Sequence, residues 1–377
     1  MSRPADLPPA AFFDAVEALG RAQRDADPAG DLAHLRRVAA AGRALTGLGV
    51  LLAGLGPNPL SIVALSLGRF ARWTMVGHHV CHRGYDKVGG PAGRSFGEGW
   101  RRAVDWFDWL VPAAWKHEHN QLHHYRLNEA RDPDLVEENL SWLRAAEWPL
   151  AVKRVVVAFF ALTWRWVYYA PNTLAELHRA ADAGEGLPRN AWTWDPRRPA
   201  GRDLWLRSLL PYTLVHFVLF PCLFLPFGVE VAAGALLNSL LAELLVNAHA
   251  FLVIVPNHAG PDLLRFDAPA RGKHAFAWRQ IRGSANFRTG GAVNDFLHGY
   301  LNYQIEHHLW PDLPMRAYAR AAPELRALCA TWGVPYVQES VWRRLGHTVR
   351  IMTGEASMAR EAGAPAEAPA CASPAAR

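Results

Sequence analysis

Cysteine is scarce in this sequence, and its spacing excludes two kinds of metal site. The 377 residues include four cysteines, and no two of them lie close together in the chain. Thiolate zinc sites and iron–sulfur clusters use cysteines at short paired spacings, so neither is expected. Unpaired thiols suit a reducing, cytoplasmic setting. The four are Cys81, Cys222, Cys329 and Cys371.

Several motifs of soluble enzymes are also missing. Di-iron carboxylate bundles carry paired Glu-x-x-His motifs, and the chain has none. A zinc peptidase needs His-Glu-x-x-His, but the run that begins His117-Glu118 has Gln121 where the second ligand is required. There is no glycine loop for a nucleotide and no internal repeat. Any electrons that the chemistry needs must therefore come from another molecule.

Charged residues are few, and two long stretches almost lack them. Charged residues make up 20% of the chain and hydrophobic residues 51%. Ser208 to Val229 has no charge, and Val231 to Pro256 has only Glu243. Each stretch can cross about 30 Å of hydrocarbon as a helix. The 16 tryptophans fit this interpretation, because their rings favour the membrane interface.

A third apolar region, Val38 to Val76, is divided by Gly54 to Pro59, a sequence typical of a turn. We interpret it as a hairpin of two further spans. The sequence thus predicts about four transmembrane helices, at residues 38–55, 60–76, 208–229 and 231–256. They belong to a membrane domain, 38–353, between a cytoplasmic segment, 1–37, and a disordered tail, 354–377.

Basic residues predict the orientation in the membrane, because Lys and Arg accumulate on the cytoplasmic side. Neither Gly54 to Pro59 nor Pro226 to Val231 contains one, whereas Arg21, Arg24, Arg36 and Arg37 precede the first span and the segment from Arg189 to Arg207 is strongly basic. Both termini and the large loops should therefore be cytoplasmic. The net charge of +6 is explained by anionic lipid and an acidic protein partner; no nucleic acid is expected. The polar start shows no secretory leader, so the first span should act as an uncleaved anchor.

The histidines carry the chemistry, because they fall in three clusters. There are 17 in the chain, and all three clusters lie in the predicted cytoplasmic regions, each near a span. Histidines four positions apart share one face of a helix, so the clusters can converge on one cavity. The clusters are H-x3-H at His78 and His82, H-x3-H-H at His119, His123 and His124, and Q-x2-H-H at Gln304, His307 and His308.

The number of ligands favours a pair of metal ions. Imidazole binds iron, zinc, copper and nickel, so the ligand type does not name the metal. Seven histidines and a glutamine exceed what one tetrahedral zinc needs, and two irons fit best. A ligating histidine usually has its second nitrogen held by a carboxylate or carbonyl. Candidate carboxylates near the clusters are Asp86, Glu118, Asp132, Asp134 and Glu306.

These motifs resemble those of the membrane fatty acid desaturases, and within them the front-end group. Asn302 to Pro311 is similar to that group's third box, in which Gln replaces the first histidine. His119 to His124, followed by Asn128 and Asp132 to Asp134, resembles the second box, and Gly77 to His82 resembles the first. The resemblance extends from about residue 71 to residue 318.

The resemblance implies an all-α integral membrane fold of four spans with a cytoplasmic helical cap that holds two irons. It also implies a further metal-binding histidine at the end of the last span. His258 matches best, and His249 and His298 are alternatives. The front-end group often carries a fused haem domain marked His-Pro-Gly-Gly, which this sequence lacks. Electrons are therefore expected from a separate ferredoxin or cytochrome with its reductase.

The predicted reaction is the oxygen-dependent desaturation of a fatty acyl chain linked to lipid, coenzyme A or a carrier protein. An apolar tunnel, lined in part by Trp164 to Tyr169, would position the acyl chain. Gln304 is expected to contact iron through a water. A hydroxylase on the same scaffold is the nearest alternative, and a zinc-dependent membrane hydrolase is more distant.

Overall fold

The computed structural model describes residues 7–88, 101–105, 107–182 and 191–361. Within these ranges the chain is mostly helical, with two strands of two residues each. The predicted all-α class is therefore confirmed in substance. Arg189, Cys371 and most of the predicted tail lie outside the described residues.

Helices of three kinds follow one another along the chain. The α-helices are Ala10–Arg24, Pro28–Ala53, Pro59–Phe70, His78–Cys81, Arg101–Asp105, Pro112–Trp115, Val136–Asn139, Ser141–Ala145, Leu150–Trp164, Ala170–Asp182, Pro199–Asp203, Leu210–Thr213, Phe220–Cys222, Val229–Ile254, Lys273–Gly283, Ala292–Leu297, Gln304–Leu309, Met315–Thr331 and Val341–Thr353. The π-helical segments are Ala71–Gly77, Lys116–His123, Arg165–Tyr169, Leu204–Leu209 and Leu214–Leu219. The 3₁₀ turns are Ala191–Trp194, Leu225–Phe227, Val255–Asn257 and Leu301–Tyr303.

The first apolar region folds as the predicted hairpin. Pro28–Ala53 ends at the predicted turn, and Pro59–Phe70 begins after Asn58, whose side chain accepts a hydrogen bond from the Ser61 amide. The two helices approach closely at Gly49, where a Cβ atom would lie 2.7 Å from Leu65. Small residues permit such close packing of helices in membranes.

Two continuous helical segments are long and apolar enough to span a membrane. They are Pro199–Phe227 and Val229–Asn257, and they cover nearly all of the third predicted span and the whole of the fourth. The helices of the first hairpin and the π-helical segment Ala71–Gly77 that continues them include five arginines, so four membrane spans remain a proposal. The two segments and the exposed leucines around them indicate a membrane protein. The arginines are Arg36, Arg37, Arg43, Arg69 and Arg72.

The turns of the two hairpins lie side by side. The Asn58 amide donates to Oδ1 of Asn238 at 2.9 Å, and Nδ2 of Asn238 donates to the carbonyl of Gly56 at 2.9 Å. Gly54 contacts Phe224 in the second turn. Both turns are therefore at one end of the helical bundle, as their shared lack of basic residues predicts.

A buried charged network joins the hairpins near mid-helix. Glu243 accepts hydrogen bonds from Arg69 at 3.0 Å, from Arg165 at 3.2 Å and from the Tyr212 hydroxyl at 2.5 Å. Arg165 also donates to both carboxylate oxygens of Asp108, each at 2.9 Å. Removing one partner from a buried ion pair costs about 3–5 kcal/mol, because a charge is left uncompensated. The network therefore fixes the helices relative to one another.

The order of the chain extends beyond the predicted start of the tail at residue 354. Ala359–Arg360 pairs in parallel with Leu264–Arg265, and Arg144 binds the carbonyl of Ala356. The Met358 amide also donates to Glu137. These polar contacts order residues 354–361, which composition alone assigned to the tail; residues 362–377 lie outside the described residues.

Candidate metal centre

Four elements bring the histidine clusters to the end of the bundle opposite the turns. The second helix of the first hairpin continues through Ala71–Gly77 into His78–Cys81, which starts the first cluster. The second cluster lies on the π-helical segment Lys116–His123, and the third lies on Gln304–Leu309. His258 directly follows Val255–Asn257, at the end of the last long helix.

The clustered imidazoles form two groups. One nitrogen from each of His78, His82, His119 and His307 lies within 4.8 Å of the others. His123, His258 and His308 form a second group by the same measure, and all seven side chains are buried.

His124 connects the two groups. Its ring centroid is 4.6 Å from that of His82 and 4.4 Å from that of His308. The eight histidines predicted as ligands therefore lie in one cluster with two centres, as a pair of metal ions requires.

Within each group the imidazole nitrogens face one another, as the ligands of a shared metal ion would. The Nε2 atoms of His78 and His307 are 3.1 Å apart, and those of His258 and His308 are 3.0 Å apart. The buried Nε2 atom of His82 has no hydrogen-bond partner among the described residues. Buried polar atoms are normally paired, and a cation between these nitrogens would satisfy them. The donor set therefore fits metal ions.

The second ring nitrogens are held from outside. Nδ1 of His123 donates to Asp132 at 2.9 Å, and Nδ1 of His308 donates to Oε1 of Gln280 at 3.1 Å. Nδ1 of His258 donates to the carbonyl of Ile254 at 3.0 Å. Such contacts select the tautomer and direct Nε2 toward a metal.

Two tyrosine hydroxyls lie beside the Nδ1 atoms of two further histidines. Tyr318 accepts from Nδ1 of His307 at 3.2 Å and donates its own proton to the carbonyl of Pro311. Tyr169 lies 3.4 Å from Nδ1 of His119. Both tyrosines and Gln280 were missed from the sequence, where only nearby carboxylates were predicted as such partners.

Among the predicted carboxylates, only Asp132 bonds directly to a clustered histidine. Asp134 is 4.0 Å from His123. Glu118 accepts instead from Asn172, and Glu306 from Asn286 and Tyr336. Asp86 pairs with Arg83 at the surface.

Burial keeps most of these imidazoles neutral, which is the form that binds metal. It lowers the pKa of His78, His82 and His308 well below the ordinary value, and the neighbouring imidazoles lower the pKa further. Burial also opposes the charged form of His123, but the Asp132 carboxylate overcomes it and raises the pKa of His123.

The second cluster departs from the α-helical geometry assumed for it. The His124 amide donates to the carbonyl of His119, five residues earlier, at 3.0 Å. This hydrogen bond is typical of a π-helix. The π-helix is rare in proteins overall, but where it occurs it is often at a functional site. The wider turn brings Nε2 of His119 and Nε2 of His124 to 3.3 Å. The widened helix thus brings the rings of His119, His123 and His124 together.

Gln304 lies beside the second group. Its Nε2 atom is 3.0 Å from Nε2 of His258, and its Oε1 atom accepts from Asn257 at 3.3 Å. The two alternatives to His258 point elsewhere: His249 donates to the carbonyl of Leu297, and His298 donates to that of Asn294.

His79 was not among the predicted ligands, yet it is buried at the edge of the cluster. Its Nδ1 atom donates to the carbonyl of Met75 at 2.8 Å, and its Nε2 atom has no partner among the described residues. Its ring centroid is 6.0 Å from that of His307.

A cavity of about 710 Å³ ends at the histidines. His119, His123 and His258 line one part of it, and Trp164 and Tyr168 come from the aromatic segment predicted to line a tunnel. This volume is within the usual range of ligand pockets. Its other apolar walls include Leu140, Trp142, Phe160, Val167, Ile254, Val255 and Met352.

The combination of histidine clusters and an apolar cavity agrees with a comparison against known families. The family model described as fatty acid desaturase matches residues 34–340. This chain belongs to the fatty acid desaturase family. The predicted family and the predicted enzyme class, a desaturase acting on fatty acids, are thereby confirmed, and the zinc hydrolase alternative is disfavoured.

Relatives of this desaturase match it over different lengths. The NADPH-dependent stearoyl-CoA 9-desaturase of Mycobacterium tuberculosis (strain ATCC 25618 / H37Rv) is 26% identical over 341 residues, which cover 85% of this chain and 74% of that protein. A putative fatty acid desaturase 2-like protein of Homo sapiens is 40% identical over 81 residues, 22% of this chain and only 17% of that protein. The Delta(8)-fatty-acid desaturase of Euglena gracilis is 34% identical over 102 residues, 27% of this chain and 24% of that protein. The front-end resemblance draws only limited support from the short human match.

Proposed function

We propose that this desaturase introduces a double bond into a fatty acyl chain at a centre of two iron ions. The observation that carries the proposal is the pair of buried imidazole groups at the end of an apolar cavity. One iron would be held by the group around His78 and the other by the group around His258. The proposed ligands are His78, His82, His119, His123, His124, His258, His307 and His308.

The ions would supply the chemistry that amino acids lack, the reduction of O2 coupled to oxidation of the acyl chain. The reaction consumes one –CH2–CH2– unit, one O2, two electrons and two protons, and it yields one double bond and two waters. The chain's own residues position the substrate, because neighbouring methylenes are chemically alike and only the cavity shape can select among them. Trp164 and Phe160 form part of that shape.

Gln304 is proposed to act through a water rather than as a direct ligand. Its amide is within hydrogen-bond distance of His258, and Asn257 holds its oxygen. An amide can both donate and accept hydrogen bonds. It can therefore orient a water beside the second group of imidazoles.

The acyl carrier and electron donor are proposed from relatives and charge. The mycobacterial relative is named for stearoyl-CoA, so coenzyme A is one candidate carrier, beside a lipid or a carrier protein. An external ferredoxin or cytochrome with its reductase would supply electrons, and the basic chain, of net charge +6, suits an acidic donor.

We further propose four spans with both termini and the metal centre in the cytoplasm. The turns that lack basic residues share one end of the bundle, and the histidines lie at the other. The positive-inside rule assigns the histidine end to the cytoplasm.

Expression in a host that lacks this activity tests the function. Fatty acids should gain a double bond only when O2 is present, and the purified protein should contain two irons per chain. Mass spectrometry of the products distinguishes the nearest alternative, because a hydroxylase would add one oxygen atom. Zinc in place of iron, with unchanged fatty acids, would overturn the proposal.

A further inference from the structure

A second cavity, of about 560 Å³, lies away from the histidines. It is formed between Pro28–Ala53, Ala292–Leu297 and Met315–Thr331. One wall is basic and another is apolar, so the cavity combines two kinds of surface. The basic wall consists of His34, Arg37, Arg316 and Arg320, and the apolar wall consists of Val38, Ala41, Ala292, Phe296 and Ala319.

The proposed spans place this cavity at the level where the last long helix reaches the membrane surface. His249 follows Val229 by 20 residues, which is about 30 Å of helix and therefore the thickness of the hydrocarbon core. His249 donates to the carbonyl of Leu297 at 2.7 Å, so the proposed last span puts Ala292–Leu297 at headgroup depth. Val293 on this helix is 73% exposed and faces outward.

The basic wall has one guanidinium, that of Arg37, without an ion-pair partner among the described residues. Arg320 is held by both oxygens of Asp31, each at 2.8 Å, and Arg316 contacts Asp27 at 3.2 Å. Arg37 is exposed, and no ion pair joins it to another described residue. His34 also lines the wall, but its Nε2 atom contacts the Tyr300 hydroxyl at 2.7 Å and its Nδ1 atom is buried.

The carboxylate that lines this cavity does not balance these donors. Asp295 already accepts from the Gly290 amide at 3.1 Å, from Asn302 at 2.7 Å and from the Tyr303 hydroxyl at 3.0 Å. The Asp295 carboxylate is therefore already occupied by donors of the protein. The open donors at this cavity belong to Arg37.

We propose that this cavity binds the phosphate of an anionic phospholipid. Arg37 would donate to the phosphate oxygens, a charge-assisted contact for which guanidinium is well suited. Val38, Ala41 and Phe296 would contact the glycerol and the first methylenes. The lipid would be a bound structural component, separate from the acyl substrate of the histidine cavity.

Native mass spectrometry of the iron-loaded, full-length protein in detergent tests the proposal. Phosphatidylglycerol, phosphatidylcholine and inorganic phosphate are added separately. One phosphatidylglycerol per chain should be retained, with weaker retention of phosphatidylcholine. Arg37→Gln should weaken phosphatidylglycerol binding about tenfold or more, as expected for one charged hydrogen bond.

Arg36→Gln is the matched control, because Arg36 is the exposed neighbour of Arg37 and does not line the cavity. It should bind phosphatidylglycerol as the unaltered protein does, and both variants should keep their iron. Equal loss in both variants would mean general attraction to charge and would overturn the proposal. Tight binding of inorganic phosphate, lost in Arg37→Gln, would overturn the lipid assignment and leave a site for soluble anions.

Discussion

Nδ1 of His123 donates a hydrogen bond of 2.9 Å to Asp132, and the same carboxylate accepts from the amides of Asn128 and Asp134. Asp132 is therefore held rigidly by the loop after the second cluster. This rigidity fixes the direction of the His123 ring. The contact also explains why His123, among the clustered histidines, has a raised pKa.

Asp132→Asn should lower iron affinity about 10- to 100-fold, the usual effect of removing a partner of a metal-binding histidine. The amide keeps the shape but removes the charge that favours His123 as a donor. Iron per folded chain measures the effect. Asp86→Asn is the control, since Asp86 pairs with Arg83 at the surface. Unchanged iron in Asp132→Asn would contradict the role.

Replacing clustered histidines should remove metal and activity together. His82→Ala, His123→Ala and His308→Ala should each abolish product and reduce bound iron while the helices stay folded, because each removes one proposed ligand. His178→Ala should change neither quantity, since His178 pairs with Asp203 away from the cluster. If all four variants behaved alike, by iron analysis and circular dichroism, the ligand assignment would fail.

Gln304→Leu should separate iron binding from turnover. The imidazoles remain, so most of the iron should remain, whereas the water that Gln304 orients is lost and turnover should fall strongly. A purely structural glutamine would instead contribute about 1 kcal/mol of stability through a hydrogen bond, with normal turnover in the folded fraction. Turnover per bound iron decides between the two outcomes, and a normal value would remove Gln304 from the site.

Reporter fusions test the proposed orientation. Fusions after Leu55 and Val229 should be extracytoplasmic, because they place the reporter at the turns without basic residues. Fusions after His124 and His308 should be cytoplasmic. A periplasmic reporter at His124 would contradict the placement of the metal centre.

The sequence predicted those parts of the fold that short stretches of the chain determine by themselves. The turn at Gly54 to Pro59, the apolar stretches around Glu243 and the three histidine clusters were all visible without the structure. His258 was selected only through the family resemblance, because a single histidine after a span carries no spacing signal.

The features that sequence did not predict depend on contacts between distant segments. Gln280 and Tyr318 reach His308 and His307 from other helices, so no local motif contains them. The π-helical turn at His119 to His124 was missed because periodicity analysis assumes 3.6 residues per turn. Residues 354–361 are ordered by partners such as Arg144, which composition does not reveal.

The pairing of Glu243 with Arg69 and Arg165 also constrains biosynthesis. A lone carboxylate in the middle of a span is costly in lipid, and two of its partners belong to segments that are synthesised earlier. The last helix can therefore be stabilised as it leaves the ribosome only if Arg69 and Arg165 are already in place. A fragment beginning after residue 200 would lack both arginines, and its final helix would be retained poorly in the bilayer.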